Sequence, residues 1–312
     1  MSYRRSLLSF LMAAAICGAL YFLYHAVDRY GAGRIAGLIG TLPVARLAAA
    51  AAFAAASYLC LAGFDYFGVR YAGKPLPYRK TLLASFVGLS IGHNVGVAGL
   101  SSGAVRYHFY ARSGLTLADV AKVIVFSGVC VACGLSTIAG VGILLQPAQA
   151  RALVEVDRSV MFFVGWLCVA LPWAYVLMTV LLRHRILIWR WHFALPEPRL
   201  AIWQVVLGSV NFALVAACLH QLVSSLAQVP YVKVLAVYAI GQIAGVLSHV
   251  PGALGVLEAS VLYLLPGAPS LAALVAFRVV YFFVPLLVGI LVFLLSEGLR
   301  AVGLSHHSGT AD

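Results

Sequence analysis

Two short stretches gather the residue types that can do chemistry. His93-Asn94-Val95-Gly96-Val97-Ala98-Gly99 and His249-Val250-Pro251-Gly252-Ala253-Leu254-Gly255 both read H-x-x-G-x-x-G. With 9 His and 29 Gly in the chain, about 0.1 copy is expected by chance, so two copies point to an internal repeat. The register continues: Lys122 and Phe126 follow the first histidine at the same offsets as Arg278 and Phe282 follow the second. Each motif is also preceded by a proline-tyrosine start with a lysine, Pro77-Tyr78-Arg79-Lys80 and Pro230-Tyr231-Val232-Lys233. Four charges stand close to this frame, Arg106, Lys122, Glu258 and Arg278. A charge within an apolar segment is costly, and by default a functional candidate. Arginine suits phosphate, because its planar fork stays charged and binds two oxygens at once. The expectation is that Glu258 neutralises Arg278 or Arg106 and leaves at least one cation free for a phosphate. Ser101 and Ser102 offer hydroxyls either to a polar headgroup or to freed backbone, and Asn94 offers an amide. His93 and His249 are candidates for helix capping or packing before substrate contact. Gly96, Gly99, Gly252 and Gly255 are the positions at which half-helices would start.

The elements that must position these residues are membrane helices. Of the 312 residues, 63% are hydrophobic and 10% charged, with a mean hydropathy of +1.01. A soluble domain carries about 25% charged residues, so a cytosolic enzyme, a disulfide scaffold, a coiled coil and a disordered chain are excluded. Apolar runs long enough for a bilayer core of about 20 residues fall near 6–24, 44–64, 117–145, 159–182, 201–227 and 271–297. The first, behind Arg4 and Arg5, reads as a signal anchor. Segments 81–104 and 234–262 are apolar but interrupted by glycine, proline, histidine and polar residues, and read as re-entrant pairs of half-helices. Gly88, Gly92, Gly134, Gly140 and Gly142 read as close helix contacts. Asp65 and Asp119, near span ends, read as solvated or helix-capping carboxylates. The six cysteines read as small buried hydrophobes.

Loop charges set the orientation. The N-terminus, the loop with Arg70, Lys74, Arg79 and Lys80, the stretch with Arg106 and Arg112, and the loop with Arg183, Arg185, Arg190 and Arg199 fall inside under the positive-inside rule. Segment 25–46, with Arg29, Arg34 and Arg46, is the exception and reads as an interfacial helix over Gly31–Leu42. Three full spans separate the two broken segments, and an odd number inverts the second copy. Inverted halves at about 65–145 and 218–300, each with an interrupted helix, point to a midplane transport site. Irregular backbone survives at that depth only when buried in protein or lining a wet cavity.

The stretches Gly92-His93-Asn94-Val95-Gly96, Gly103-Ala104-Val105-Arg106-Tyr107 and Val250-Pro251-Gly252-Ala253-Leu254-Gly255-Val256-Leu257-Glu258-Ala259 resemble the lysylphosphatidylglycerol synthase transmembrane (flippase-like) family. That family includes the flippase half of the multiple peptide resistance factor. Phe277-Arg278-Val279-Val280-Tyr281-Phe282-Phe283-Val284-Pro285 is similar to its R-x-x-Y-x-x-x-P helix. The resemblance runs over nearly the whole chain and implies handling of amphipathic phospholipids in a bacterial inner membrane. Bifunctional members add a soluble synthase domain; this chain stops at Ser305–Asp312, so aminoacyl transfer is not expected.

The combined expectation is an all-α polytopic membrane protein with about six full spans and two re-entrant pairs in an inverted repeat, both termini cytoplasmic. Its partner is a membrane phospholipid with an anionic or aminoacylated headgroup, and a second copy of the chain is an admissible partner. Nucleic acid, cofactor and metal are not expected, and no catalytic residue is assigned. The absence of a Walker-type G-x-x-x-x-G-K-[ST] excludes a P-loop ATPase. A transporter or channel for a small anion and a lipid-modifying enzyme are the alternatives.

Overall fold

The computed structural model describes residues 21, 24, 31–95, 98–147, 157–182, 186–188, 191–193, 195–225, 227–248, 255–265 and 271–308. In chain order these form α1 (Ala32–Gly40), α2 (Val44–Tyr71), α3 (Tyr78–Val95), α4 (Ala98–Ala111), α5 (Leu117–Leu145), α6 (Arg158–Leu181), α7 (Pro198–Val223), α8 (Tyr231–Ser248), α9 (Val256–Leu264), α10 (Leu271–Arg278) and α11 (Val284–Ser308). A π-turn over Val279–Phe283 joins α10 to α11 in one continuous rod. Among the described residues the strands form one small antiparallel ribbon, Ile186–Ile188 (β1) with Trp191–Phe193 (β2), between α6 and α7.

Local chemistry sets the helix ends. After α2, Gly73 sits at φ +76° and the Lys74 N–H reaches the Val69 carbonyl at 2.9 Å, a left-handed cap that satisfies the last turn. Gly114 does the same for α4 at φ +83°, with Leu115 N–H on the Tyr110 carbonyl. The next helix opens with a capping box: the Thr116 hydroxyl accepts the Asp119 N–H and Asp119 accepts the Thr116 N–H. Asp119 is therefore the helix-capping carboxylate expected. Both α3 and α8 have 18 residues and begin at a tyrosine directly after a proline.

Among the described residues, six helices are long and apolar enough to cross a membrane: Val44–Tyr71, Leu117–Leu145, Arg158–Leu181, Pro198–Val223, Tyr231–Ser248 and Ala272–Gly298. Five match expected spans. The expected first span, 6–24, falls outside the described residues except for Tyr21 and Tyr24. The sixth, Tyr231–Ser248, is the first helix of the segment read as a broken pair; it is about 27 Å long, and the segment resumes as α9 at Val256.

The bundle centres on α2, α5 and α7, which pack on one another. Helix α6 sits at the edge against α5 and α7 and exposes Phe163, Trp166, Leu171 and Leu181, as a lipid-facing helix does. Gly88, Gly134, Gly140 and Gly142 lie at close contacts as expected: a Cβ on Gly140 would meet the Gly165 carbonyl at 2.7 Å, and one on Gly142 the Ala236 Cα at 2.9 Å. At Gly134 an added Cβ would overlap the Gly208 backbone, so α5 and α7 touch main chain to main chain. Two helix pairs flank this centre. Helices α3 and α4, joined across residues 96–97, pack on each other, with the Ser102 carbonyl and the Arg106 stem against Gly88. Helices α8 and α9 do likewise, with Leu257 and Ser260 against Gly241. The last rod lies with α10 on α7 and α1, and α11 on α3.

Candidate functional site

Among the described residues, three polar assemblies lie inside this apolar bundle. The first joins α2, α4 and α5. Arg106 donates from Nε to Asp65 Oδ2 at 2.9 Å and from Nη2 to Oδ1 at 2.8 Å, a bidentate fork. Tyr110 Oη donates to Asp65 Oδ2 at 2.7 Å, Ser127 Oγ reaches Oδ1 at 3.4 Å, and Arg106 Nη1 donates to Ser102 Oγ at 3.3 Å. Ser102, Arg106 and Tyr110 are spaced four apart, which puts them on one face of α4. Asp65 is 0% exposed.

The second assembly joins α9 to α10. Arg278 donates from Nε to Glu258 Oε1 at 2.5 Å and from Nη2 to Oε2 at 3.0 Å. Glu258 Oε2 also accepts the Gly255 N–H at 2.9 Å, so the carboxylate caps the first turn of α9. Gly255 holds φ +83°, a left-handed conformation that a side chain would strain. The Arg278 guanidinium lies 4.7 Å from the Phe282 ring centroid.

The third assembly lies between α2, α3, α7 and the π-turn. Ser57 Oγ donates to Asn211 Oδ1 at 2.7 Å and stands 2.9 Å from Tyr281 Oη. Tyr58 Oη donates to the Tyr281 carbonyl at 3.3 Å. Asn94 Nδ2 donates to the Ser90 carbonyl at 2.8 Å and reaches the Phe282 carbonyl at 3.5 Å. His93 lies among the rings of Tyr58, Tyr281 and Phe282, at centroid distances of 6.2, 6.5 and 6.3 Å, and its buried Nδ1 has no hydrogen-bond partner. Phe282, touching both Arg278 and His93, links the second assembly to the third.

These placements sort the residues read from the sequence. Glu258 does neutralise Arg278. The free buried cation is corrected: Arg106 is held by Asp65, so among the described residues each buried arginine has its own buried carboxylate. Asp65 itself is corrected from a solvated end to a buried partner. Lys122 is not in the interior; its side chain is 54% exposed and 3.9 Å from Asp119 on the first turns of α5. Ser102 supports Arg106, and Asn94 braces two carbonyls. His93 and Glu258 do not come together, since Phe282 and Arg278 stand between them. Gly99 lies in α4. His249, Gly96 and Gly252 lie outside the described residues, as does the side chain of Ser101.

The sequence reading missed Ser57, Tyr58 and Asn211 and misplaced Asp65. A signal for Asp65 existed: Ala50, Ala54, Ser57, Leu61, Asp65 and Gly68 recur at helical spacing along the buried stripe of α2. Ending the span at residue 64 cut that stripe one turn short. Outside the interior, Arg112 Nη2 donates to Glu297 Oε2 at 2.8 Å, His108 Nε2 lies 3.2 Å from Glu297 Oε1, and Arg112 meets the same imidazole nitrogen. This cluster ties the end of α4 to α11.

No family model matches the chain. It is similar to an uncharacterized protein of Synechocystis, slr0712, at 31% identity over 77% of this chain and 76% of that protein. It is similar to the inner membrane protein YbhN of Escherichia coli at 30% identity over 77% of each.

Proposed function

Because the chain belongs to the family of the inner membrane protein YbhN, we propose that it is a non-enzymatic transporter of an anionic or amphipathic phospholipid, related to the lysylphosphatidylglycerol synthase flippase-like proteins. The observation that carries the reading is the pairing of Arg278 with Glu258 at the first turn of α9, inside a bundle of apolar helices. An arginine there is the phosphate-binding group, and Glu258 is the anion that a phosphate replaces. The exchange keeps the guanidinium neutralised at each stage, and the displaced Glu258 carboxylate keeps the Gly255 N–H and the N-terminal amides of α9 as its partners. Glu258 suits this better than Asp65, since 11% of its side chain is exposed against 0% for Asp65. The N-terminal amides of α9 add a positive dipole end beside the same point.

In this reading α3–α4 and α8–α9 are the two re-entrant pairs, meeting near mid-bilayer with the cargo's tails left in lipid. The 9 residues of α9 extend about 14 Å, well short of a bilayer core of about 30 Å. The three spans α5, α6 and α7 between the pairs support an inverted relation of the two halves. Both termini are cytoplasmic in this arrangement, which leaves the four basic clusters on the cytoplasmic side.

The test is translocation of fluorescent phosphatidylglycerol in reconstituted vesicles, read with a membrane-impermeant quencher, together with mass spectrometry of co-purifying lipids. Expected is quenching of inner-leaflet lipid by wild type, and none above protein-free vesicles for Arg278→Ala or Glu258→Ala that still insert. Wild-type rates in both variants would remove the pair from the mechanism. A covalently altered lipid would replace transport by catalysis, and uptake of a soluble anion without lipid movement would replace it by anion transport.

A further inference from the structure

Pro285 leaves a carbonyl without its helical donor. In an α-helix the Tyr281 carbonyl accepts the N–H of residue 285, and proline has none. The chain responds in two ways. The backbone widens into the π-turn, where the Val284 N–H reaches the Val279 carbonyl five residues back. Side chains from other elements then take the loosened carbonyls: Tyr58 of α2 donates to Tyr281 and Asn94 of α3 reaches Phe282. Ser57, next to Tyr58, holds the Tyr281 hydroxyl at 2.9 Å. The kink in the last rod is thus braced from two helices far away in sequence.

That brace bears directly on Arg278, the residue immediately before the π-turn. A π-bulge is one residue inserted into a helix, and one residue corresponds to about 100° of rotation. Regularising the helix would swing the Arg278 side chain by that angle around the axis, off Glu258 and off the Phe282 ring. We propose that Tyr58 and Asn94 are positioning residues: by holding the Tyr281 and Phe282 carbonyls they fix the π-turn, and through it the direction in which Arg278 presents its guanidinium. The transport readout of this inference rests on the lipid reading above; its structural readout does not.

The experiment uses the full chain in phosphatidylethanolamine–phosphatidylglycerol vesicles, with Tyr58→Phe, Pro285→Ala and the double variant. Deuterium exchange of the amides in 279–289 reports the brace. The ratio of translocation rates for fluorescent phosphatidylglycerol over phosphatidylcholine reports Arg278, because a merely structural loss lowers both lipids alike. Tyr58→Phe should speed exchange in this segment about tenfold, the worth of one buried hydrogen bond, and lower the lipid ratio by several fold. Pro285→Ala gives Tyr281 a backbone donor and straightens the rod, so it should lower the ratio by itself. In that background Tyr58→Phe should change exchange and ratio by less than about twofold. Asn94→Ala should act as Tyr58→Phe does, more weakly, given its 3.5 Å contact.

Equal effects of Tyr58→Phe in both backgrounds, or none in the native one, would overturn the proposal. If Tyr58→Phe does not fold, recovery of folded protein on adding Pro285→Ala upholds it, and no recovery overturns it. A wild type that moves no lipid while the exchange cycle holds sinks the lipid reading alone. A wild type that moves lipid while exchange is indifferent to Tyr58 sinks this inference alone.

Discussion

The two histidine-glycine halves place equivalent residues in opposite environments. Lys122 and Arg278 stand at the same offset from His93 and His249. In the first half this position lies on an unbroken α5, and Lys122 ends half exposed beside its capping Asp119. In the second it precedes a π-turn, and Arg278 is buried against Glu258. The first half keeps its buried arginine elsewhere, at Arg106, and closes it completely: Asp65 takes two bonds from the guanidinium and further ones from Tyr110 and Ser127. The second holds its carboxylate at a helix start, beside a left-handed glycine, with one edge accessible. One pair is locked into the frame, and the other, under the transport proposal, is the one placed to exchange.

Substitutions at the two pairs sharpen that contrast. Asp65→Ala strands a buried guanidinium and should cost about 3–5 kcal/mol, read as loss of folded protein in thermal unfolding in detergent. Replacing the pair by Asp65→Leu with Arg106→Met should recover most of it; no recovery would mean that Arg106 does more than balance Asp65. Gly208→Ala, which drives a methyl into the Cys130 carbonyl of α5, should cost about 1–3 kcal/mol or more in the same measurement. Glu258→Ala should cost less stability than Asp65→Ala, about 1–3 kcal/mol, because Glu258 lies at a partly accessible edge and Arg278 keeps its Phe282 ring, yet under the transport proposal it should abolish lipid movement. The opposite ranking of the two carboxylates would erase the distinction between frame and exchange site. Glu297→Gln loosens a half-exposed contact between α4 and α11 and should cost under about 1 kcal/mol, most of it absent at high salt. Lys122→Ala should stay within about 0.5 kcal/mol and leave translocation unchanged.

Much of this organisation was legible beforehand. Apolar runs and proline-tyrosine starts placed five of the six candidate spans and both helix pairs, because hydropathy and capping are local properties. Glu258 was legible as the partner of a buried arginine, Arg278 or Arg106, because each is a charge within or beside an apolar run. Asp65 was not, since one carboxylate at the end of an apolar run looks the same whether it faces water or a guanidinium 41 residues away. Ser57, Tyr58 and Asn211 escaped for a similar reason: a hydroxyl or amide in a membrane helix gains meaning only from what faces it across the bundle. The π-turn was equally hidden, because Pro285 announces a missing N–H but not which side chain will compensate.

At Gly134 and Gly208 the main chains of α5 and α7 lie so close that no layer of side chains separates them. Packed helices slide by exchanging side-chain rotamers, and here there are none to exchange. These two rods are in effect welded, and with α2 seated on α7 they form a stator. If the transport proposal holds, the motion that admits a guest belongs to the helix pairs α3–α4 and α8–α9 rather than to this stator.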